Sequence, residues 1–472
     1  MNHFHDYSIR ERVGNRAAVG RFRGELVYIA TSFVPRSFVK EMANAINDVR
    51  GVGYLEHEVI EETELAHVSP ASDVLMMEPR RMRLNSLDTW RGLVIFLMML
   101  DHVRDFFNRG ALISTPTEAG HTTVPLYVTR WITHLCAPTF IFLAGAGIRL
   151  QYEKAGPSLG LSKFLAARGA WLVFLDLTVV SAALSFGRPF FFVQVLYATG
   201  LSMIAMAALV WIRPRVVLVI GSAILLFAPL TILQLQHATG TLGLFRTFTV
   251  LPGPLPAGMG VVLYPFVPWL GVMCLGFGYG HVFLFPKSAR DRRIAWTGVG
   301  SLLIFGVLRG LNGYGDQTPW KAWPDATHNI ESFLNVTKYP PSPDYVLVTL
   351  GLSLLVFLVI ERLPGMVSRP LTTFGRTPLF TYIAHFFVLH SLQIAVGLSL
   401  GYPLRIFLNY IATAVSVMFA SGKPPEVVRL GWGFPLPGTY LVWLVIVALV
   451  YPLSRWFEGV KHARQDWWLR YL

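Results

Sequence analysis

The sequence contains little charge for its length. Only 14% of its 472 residues are charged, whereas 53% are hydrophobic. A soluble globular domain carries about 25% charged residues, so the composition argues against a soluble fold. Apolar runs of roughly 20 residues recur along the chain, and a helix of that length crosses a bilayer core. The composition therefore predicts an all-α, polytopic transmembrane helical bundle rather than a barrel of short alternating strands.

Cysteine is also scarce. The two cysteines, Cys136 and Cys274, both lie within apolar runs, where small buried residues are common. Their spacing fits neither a disulfide nor a metal site, and we expect no metal. A phosphate-binding loop, a GxSxG serine motif, an HExxH zinc motif and a dinucleotide fingerprint are missing as well. The usual templates of soluble enzymes therefore do not apply.

The charge that is present is unevenly distributed. The net charge is +13, but no nucleic-acid-binding motif accompanies it, and we expect no nucleic-acid partner. In a membrane protein, such an excess of Lys and Arg marks the cytoplasmic loops. Loops rich in these residues alternate with loops that are poor in them. This alternation predicts a chain embedded in the lipid bilayer, with both termini on the cytoplasmic side.

The hydropathy pattern predicts about ten spans. They lie near residues 87–107, 125–149, 163–186, 189–212, 216–236, 261–285, 294–311, 345–362, 379–400 and 437–455. An eleventh is left open at residues 403–421, where Arg405 and Asn409 interrupt the apolar run. We expect an interfacial helix there.

Three parts are predicted along the chain: a polar extension at residues 1–83, a transmembrane domain at 84–460 and a cytoplasmic tail at 461–472. The extension has neither a long apolar run nor a signal peptide. Two interpretations stay open for it. Translation starts at Met77 or Met82, or the extension is a small, poorly ordered cytoplasmic segment.

The first predicted span carries an unusual set of ionisable residues. Asp88, His102 and Arg109 fall on one heptad-spaced stripe, and Asp101 lies about 100° round the helix from His102. A charge facing lipid costs several kcal/mol, so these residues must face protein or water. We interpret Asp88 as an anchor at the cytoplasmic end, and Asp101 with His102 as functional.

Further histidines lie in other spans. His134 is expected near the depth of His102, because its span runs in the opposite direction. His385 and His390 are five residues apart and do not share a helix face well. One of them suits a structural, hydrogen-bonding role, and both stay candidates for function. A neutral imidazole can take a proton from an incoming nucleophile.

The loop after the seventh span is rich in polar and aromatic residues of the kind that bind hydroxylated ligands. Such a loop equally suits a compact fold held by its own hydrogen bonds. The candidate substrate-binding residues are Arg309, Asn312, Tyr314, Asp316, Lys338 and Tyr339, together with His385 and His390.

Several motifs resemble the heparan-alpha-glucosaminide N-acetyltransferase-like family. The opening two helices carry "RLNSLDTWRGLVIFLMMLDHVRDFF" and "WITHLCAPTFIFLAGAG", and later motifs are "YPFVPWLGVMCLGFGYG", "LNGYGDQTPW", "LNVTKYPPSPDY" and "FGRTPLFTYIAHFFVLHSL". The resemblance covers roughly residues 83–460. It implies a membrane acyltransferase that uses cytoplasmic acetyl-CoA, or another acyl-CoA, as a co-substrate. The acceptor would be an exoplasmic hydroxyl or amine of a sugar or cell-envelope glycan.

The same resemblance implies a bacterial cytoplasmic (inner) membrane protein and leaves a homodimer open. The chain departs from the lysosomal enzyme of this family, however. Val124 falls where that enzyme has its proposed acetylated histidine, and His121 is only nearby. At the positions of His102 and His134 that enzyme has an asparagine and an aspartate. Its catalytic roles therefore do not transfer by position.

Acyl transfer to an alcohol or amine needs a base and a group that stabilises the tetrahedral oxyanion. We predict His102, oriented by Asp101, as base or transient acyl carrier, and His134 as second base or oxyanion donor. Arg376, at the cytoplasmic entry of the ninth span, is predicted to bind the CoA phosphates. The alternative is a proton-coupled transporter of a small polar solute, since intramembrane Asp, His and Arg serve that role too.

Overall fold

The computed structural model describes residues 71–113, 117, 119–120, 122–411, 414, 426–464 and 466–471, with the backbone alone at 71–84, 112–113 and 470. The predicted N-terminal extension lies outside the described residues up to residue 70. All that follows concerns the unit Arg81–Leu472.

The described chain is mostly helical, with three short strands, which confirms the predicted fold class. In chain order the helices are α1 (Ala71–Phe107), α2 (Arg109–Ile113), α3 (Val124–Thr133), α4 (Cys136–Ala155), α5 (Leu159–Leu175), α6 (Ser181–Leu184), α7 (Val195–Leu209), α8 (Pro214–Leu235), α9 (Gly240–Thr249), α10 (Phe266–Tyr279), α11 (Lys287–Leu311), α12 (Ala326–Leu334), α13 (Pro343–Ile360), α14 (Gly365–Arg376), α15 (Pro378–Ser399), α16 (Arg405–Leu408), α17 (Glu426–Arg429) and α18 (Leu436–Ala463). A π-helical turn, Asp176–Val180, joins α5 to α6.

Eight helical segments within the described residues are long and apolar enough to cross a bilayer. They are Val124–Ala155, Leu159–Leu184, Pro214–Leu235, Phe266–Leu284, Lys287–Leu311, Pro343–Ile360, Pro378–Ser399 and Leu436–Ala463. The other two predicted spans also coincide with helices. However, α1 carries several charges, and α7 has only 15 residues. Of the predicted interfacial helix at 403–421, the structure describes α16, and much of the remainder lies outside the described residues.

A small sheet explains why α7 is short. Strand β1 (Phe191–Val193) runs parallel to β3 (Gly260–Val262), and β3 pairs antiparallel with β2 (Gly253–Pro254). The prediction of one helix over 189–212 was therefore wrong at its start, because "PFFFV" is apolar enough for either structure. The sheet places the first turn of α7 inside the protein. There the buried Asp176 carboxylate accepts a hydrogen bond from the backbone N–H of Gln194 at 2.7 Å.

Close backbone contacts fix α1 against the α14–α15 corner. A side chain at Gly92 would overlap the Leu371 carbonyl, and one at Gly375 would overlap the Asp88 carbonyl. Small residues allow helices to approach this closely. The two glycines thus set the position from which α1 and α15 run side by side toward the site.

Candidate active site

Asp101 is a buried carboxylate at the contact between α1 and α3. Arg130 donates to both of its oxygens, at 2.6 and 2.9 Å. The Thr133 hydroxyl donates to Oδ1 at 2.6 Å, and Arg104 forms an ion pair with the same oxygen at 2.7 Å. These partners fill most of the acceptor positions of the carboxylate. Asp101 therefore anchors cationic side chains.

Two more charged residues complete this group. The Lys338 ammonium lies 3.7 Å from Asp101 Oδ2, and Arg104 contacts Asp105 at 2.6 Å. We call Arg104, Arg130, Lys338, Asp101 and Asp105 the charge cluster. It brings together residues from α1, α3 and the loop before α13, although they are far apart in the sequence.

His102 lies on α1 beside the charge cluster and forms a pair with His385 of α15. Its Nδ1 is 2.7 Å from His385 Nε2, and His385 Nδ1 is 3.2 Å from the Thr381 carbonyl oxygen. Because a carbonyl only accepts, His385 carries its proton on Nδ1 and leaves Nε2 as an acceptor. His102 then donates from Nδ1, so its Nε2 retains a free lone pair. Such a nitrogen is a suitable general base.

The prediction that Asp101 orients His102 was therefore wrong. The carboxylate of Asp101 is occupied by Arg130, Arg104 and Thr133, and His385 holds the imidazole instead. The charge of Asp101 still acts on His102. Sequence proximity suggested the pair, but neighbours in a helix point in directions about 100° apart.

His134 lies at a break between α3 and α4. Pro138 has no N–H, so the His134 carbonyl loses its helical donor and accepts instead from the Tyr345 hydroxyl at 2.8 Å. The imidazole is buried, and its Nδ1 has no hydrogen-bond partner among the described residues. The charges of Arg130 and Lys338 act on this ring, so the structure does bring His134 to the cluster.

His390 lies apart from the His102–His385 pair. Its two ring nitrogens contact the carbonyls of Ala183 and Phe407 at 2.8 and 2.9 Å. The prediction that His385 and His390 use different helix faces is thus confirmed. His390 connects α15 with α6 and α16, and we assign it to the fold.

The loop after α11 is held mainly by its own side chains. Arg309 donates to four carbonyls, those of Thr318, Ser332, Phe333 and Asn335. Asn312 bonds both the N–H and the carbonyl of Trp320. These contacts leave the expected ligand-binding role of Arg309 and Asn312 without support.

Asp316 and Tyr314 are similarly engaged. Asp316 accepts bonds from Thr337, Thr318 and Ser342, and the Tyr314 hydroxyl bonds the Leu226 carbonyl. We assign both to the fold of the loop.

Lys338 and Tyr339 are the predicted loop residues that reach the site. The Tyr339 hydroxyl lies 3.4 Å from that of Tyr264. Burial, with Tyr339 beside it, raises the pKa of the Tyr264 hydroxyl well above its usual range. Tyr264 therefore stays protonated and can donate a hydrogen bond.

A cavity of about 280 Å³ opens on the side of the bundle predicted to be cytoplasmic. Arg91 and Arg168 are among the residues that line it, and the largely apolar remainder comes from α4, α5, α7 and the first residues of α15. Along α1, Arg91 precedes His102 by 11 residues, which is roughly 16 Å of helix. The two arginines give this cavity a cationic lining, and neither His102 nor His385 is among the residues that line it.

Arg376 lies next to this cavity and is not among the residues that line it. It forms an ion pair with Glu458 at 2.8 Å and bonds the Asn85 side chain at 2.9 Å. The neighbouring Arg91 donates to the Gly375 carbonyl. The prediction that Arg376 binds CoA phosphates stays a prediction, and Arg91 and Arg168 join it as candidates.

Sequence reasoning missed the arginines that surround Asp101. Arg104 and Arg130 lie inside predicted membrane spans. Because a charged side chain in lipid is costly in free energy, their positions could have indicated that both face the protein interior. The third and fourth residues after Asp101 share its helix face, which indicates Arg104 directly. The contact with Arg130 depends on how α1 and α3 pack.

A family model matches part of the chain. Residues 83–310 match the family model described as heparan-alpha-glucosaminide N-acetyltransferase, catalytic. No curated protein matches the chain. The matched segment contains Asp101, His102 and His134, whereas Lys338 and His385 lie beyond it.

Proposed function

We propose that this chain, whose residues 83–310 belong to the heparan-alpha-glucosaminide N-acetyltransferase-like family, is a membrane acyltransferase. It transfers an acetyl group from cytoplasmic acetyl-CoA to an exoplasmic acceptor. The acceptor group is a hydroxyl or an amine, of a sugar or a cell-envelope glycan. The observation that carries this proposal is the His102–His385 pair, in which no donor among the described residues reaches His102 Nε2, beside a cluster of buried cations.

The first chemical step uses the free nitrogen. His102 Nε2 takes the proton of the acceptor O–H or N–H while the acceptor atom attacks the thioester carbonyl. The negative charge of the tetrahedral intermediate is stabilised by nearby cations and by donors such as His134. Collapse breaks the C–S bond, and the proton passes from His102 to the CoA thiolate. In the alternative route, His102 Nε2 itself attacks the thioester and carries the acetyl group until the acceptor takes it.

The donor would approach from the opposite side. Arg91 and Arg168, which help to line the 280 Å³ cavity, suit the phosphates of CoA, and the apolar walls suit its pantetheine arm. The thioester would then lie near the first turns of α15, below His385. This supports a donor and an acceptor that meet from opposite faces of the membrane.

The test uses inside-out vesicles that contain the full chain. Acetyl-CoA with a labelled acetyl group is added outside, and a mixture of amino sugars and hexosides is trapped inside. The proposal predicts labelled product inside and free CoA outside, in equal amounts. Movement of unmodified sugar across the membrane without CoA release would contradict it and support the transporter instead.

A further inference from the structure

The charge cluster contains one more cation than anions. Arg104, Arg130 and Lys338 carry three positive charges, and Asp101 and Asp105 carry two negative charges. A buried charge without a partner costs several kcal/mol. The cluster is therefore one negative charge short of balance.

Lys338 is the cation with the weakest partner. Asp101 Oδ1 is taken by Arg130, Arg104 and Thr133, and Oδ2 accepts from Arg130 at 2.9 Å. The Lys338 ammonium is 3.7 Å from Oδ2, beyond hydrogen-bond distance. Among the described residues, no hydrogen bond reaches this ammonium, which has three donors to satisfy.

Several residues around Lys338 are partly exposed, although the Lys338 side chain itself is buried. His102, Arg130 and Tyr339 are partly exposed although they lie within the bundle, and the Asp105 side chain is 46% exposed. The charge of Lys338 also acts on the His102 ring. A ligand placed against Lys338 would therefore lie close to the free nitrogen of His102.

We propose that the acceptor carries an anionic group, a carboxylate, phosphate or sulfate, and that Lys338 binds this group with Arg130 beside it. An anion there supplies the missing negative charge and satisfies the lysine donors. It also holds the neighbouring hydroxyl or amine of the acceptor at His102. This inference rests on the proposed function only in calling the ligand the acceptor.

The experiment compares two sugars that differ in one group, methyl β-D-glucuronide and methyl β-D-glucoside. Their affinities for the purified full chain are measured by calorimetry in nanodiscs, without acyl donor and in phosphate-free buffer of low ionic strength. We expect the glucuronide to bind at least about tenfold more tightly, which is about 1.4 kcal/mol. Lys338→Met should reduce this preference to about one, whereas Lys338→Arg should keep it.

Lys321→Met is the matched control, because Lys321 is an exposed lysine of the same loop. This variant should retain the full preference. Equal affinity for the two sugars, no binding of either, or a preference that survives in Lys338→Met would each overturn the proposal. The binding experiment contains no acyl donor and so does not depend on acetyl transfer. A chain that prefers the glucuronide here but transfers no acetyl group in the vesicle experiment would refute the proposed function alone.

Discussion

At the scale of single residues, the site depends on which hydrogen-bond acceptor each charged or titratable group finds. The Asp101 carboxylate is already paired with Arg104 and Arg130, so the imidazole of His102 is oriented by His385 instead. His385 in turn is fixed by the Thr381 carbonyl of its own helix. The protonated nitrogen of each ring is thereby determined by a carbonyl that can only accept.

Removing His385 should impair turnover more than binding. In His385→Ala, the His102 ring loses the acceptor that orients it, and we expect kcat to fall by about 10-fold to 100-fold with a smaller change in KM. His385→Gln, whose side-chain carbonyl can accept from His102, should recover part of the loss. Steady-state CoA release measures both constants. Equal losses in the two variants would show that His385 serves only packing.

Removing the buried anion of the charge cluster, Asp101, should destabilise the fold. Asp101→Asn leaves three cations with Asp105 as their remaining carboxylate, and losing one partner of a buried pair costs about 3–5 kcal/mol. The matched control is Arg405→Met, which breaks the exposed pair with Glu426 and should have a much smaller effect. Thermal unfolding in detergent compares them. Similar melting temperatures for both variants would contradict the account of the cluster.

At the scale of helices, hydropathy located the elements, whereas their ends and pairings required the structure. Ten predicted spans coincide with helices because an apolar run of that length has few other solutions in a bilayer. The sheet at Phe191–Val193 was missed because its residues are as apolar as the helix that follows. The contact between α1 and α15 joins residues 283 positions apart, and no local pattern encodes it.

The α1–α14 contact should be intolerant of any side chain at its glycines. Gly375→Ala places a methyl group against the Asp88 carbonyl and should destabilise the protein by about 1–3 kcal/mol or more. Gly306→Ala is the control, because an added Cβ on that face of α11 meets no atom within 4 Å. Unfolding temperatures decide between them. Tolerance of Gly375→Ala would show that the two helices are less closely packed than described.

At the scale of the whole molecule, the bundle places two different environments on either side of one histidine pair. An arginine-flanked cavity lies toward the predicted cytoplasmic face, and the charge cluster lies beyond His102. His102, His134 and Lys338 could be chosen from the sequence because ionisable residues near apolar spans are costly. The sequence does not show that Lys338, unlike Arg309, has donors left unsatisfied, because that depends on how the loop folds.

The most direct test of the central claim is the rate of acetyl-CoA-dependent acyl transfer by purified His102→Gln. Glutamine keeps a donor toward His385 but has no basic nitrogen, so the rate should fall at least about 100-fold while the protein stays folded. His281→Gln, which changes a partly buried histidine that bonds the Gly278 carbonyl, is the control and should retain its rate. A His102→Gln protein that transfers acetyl groups as fast as the unmodified chain would contradict the account.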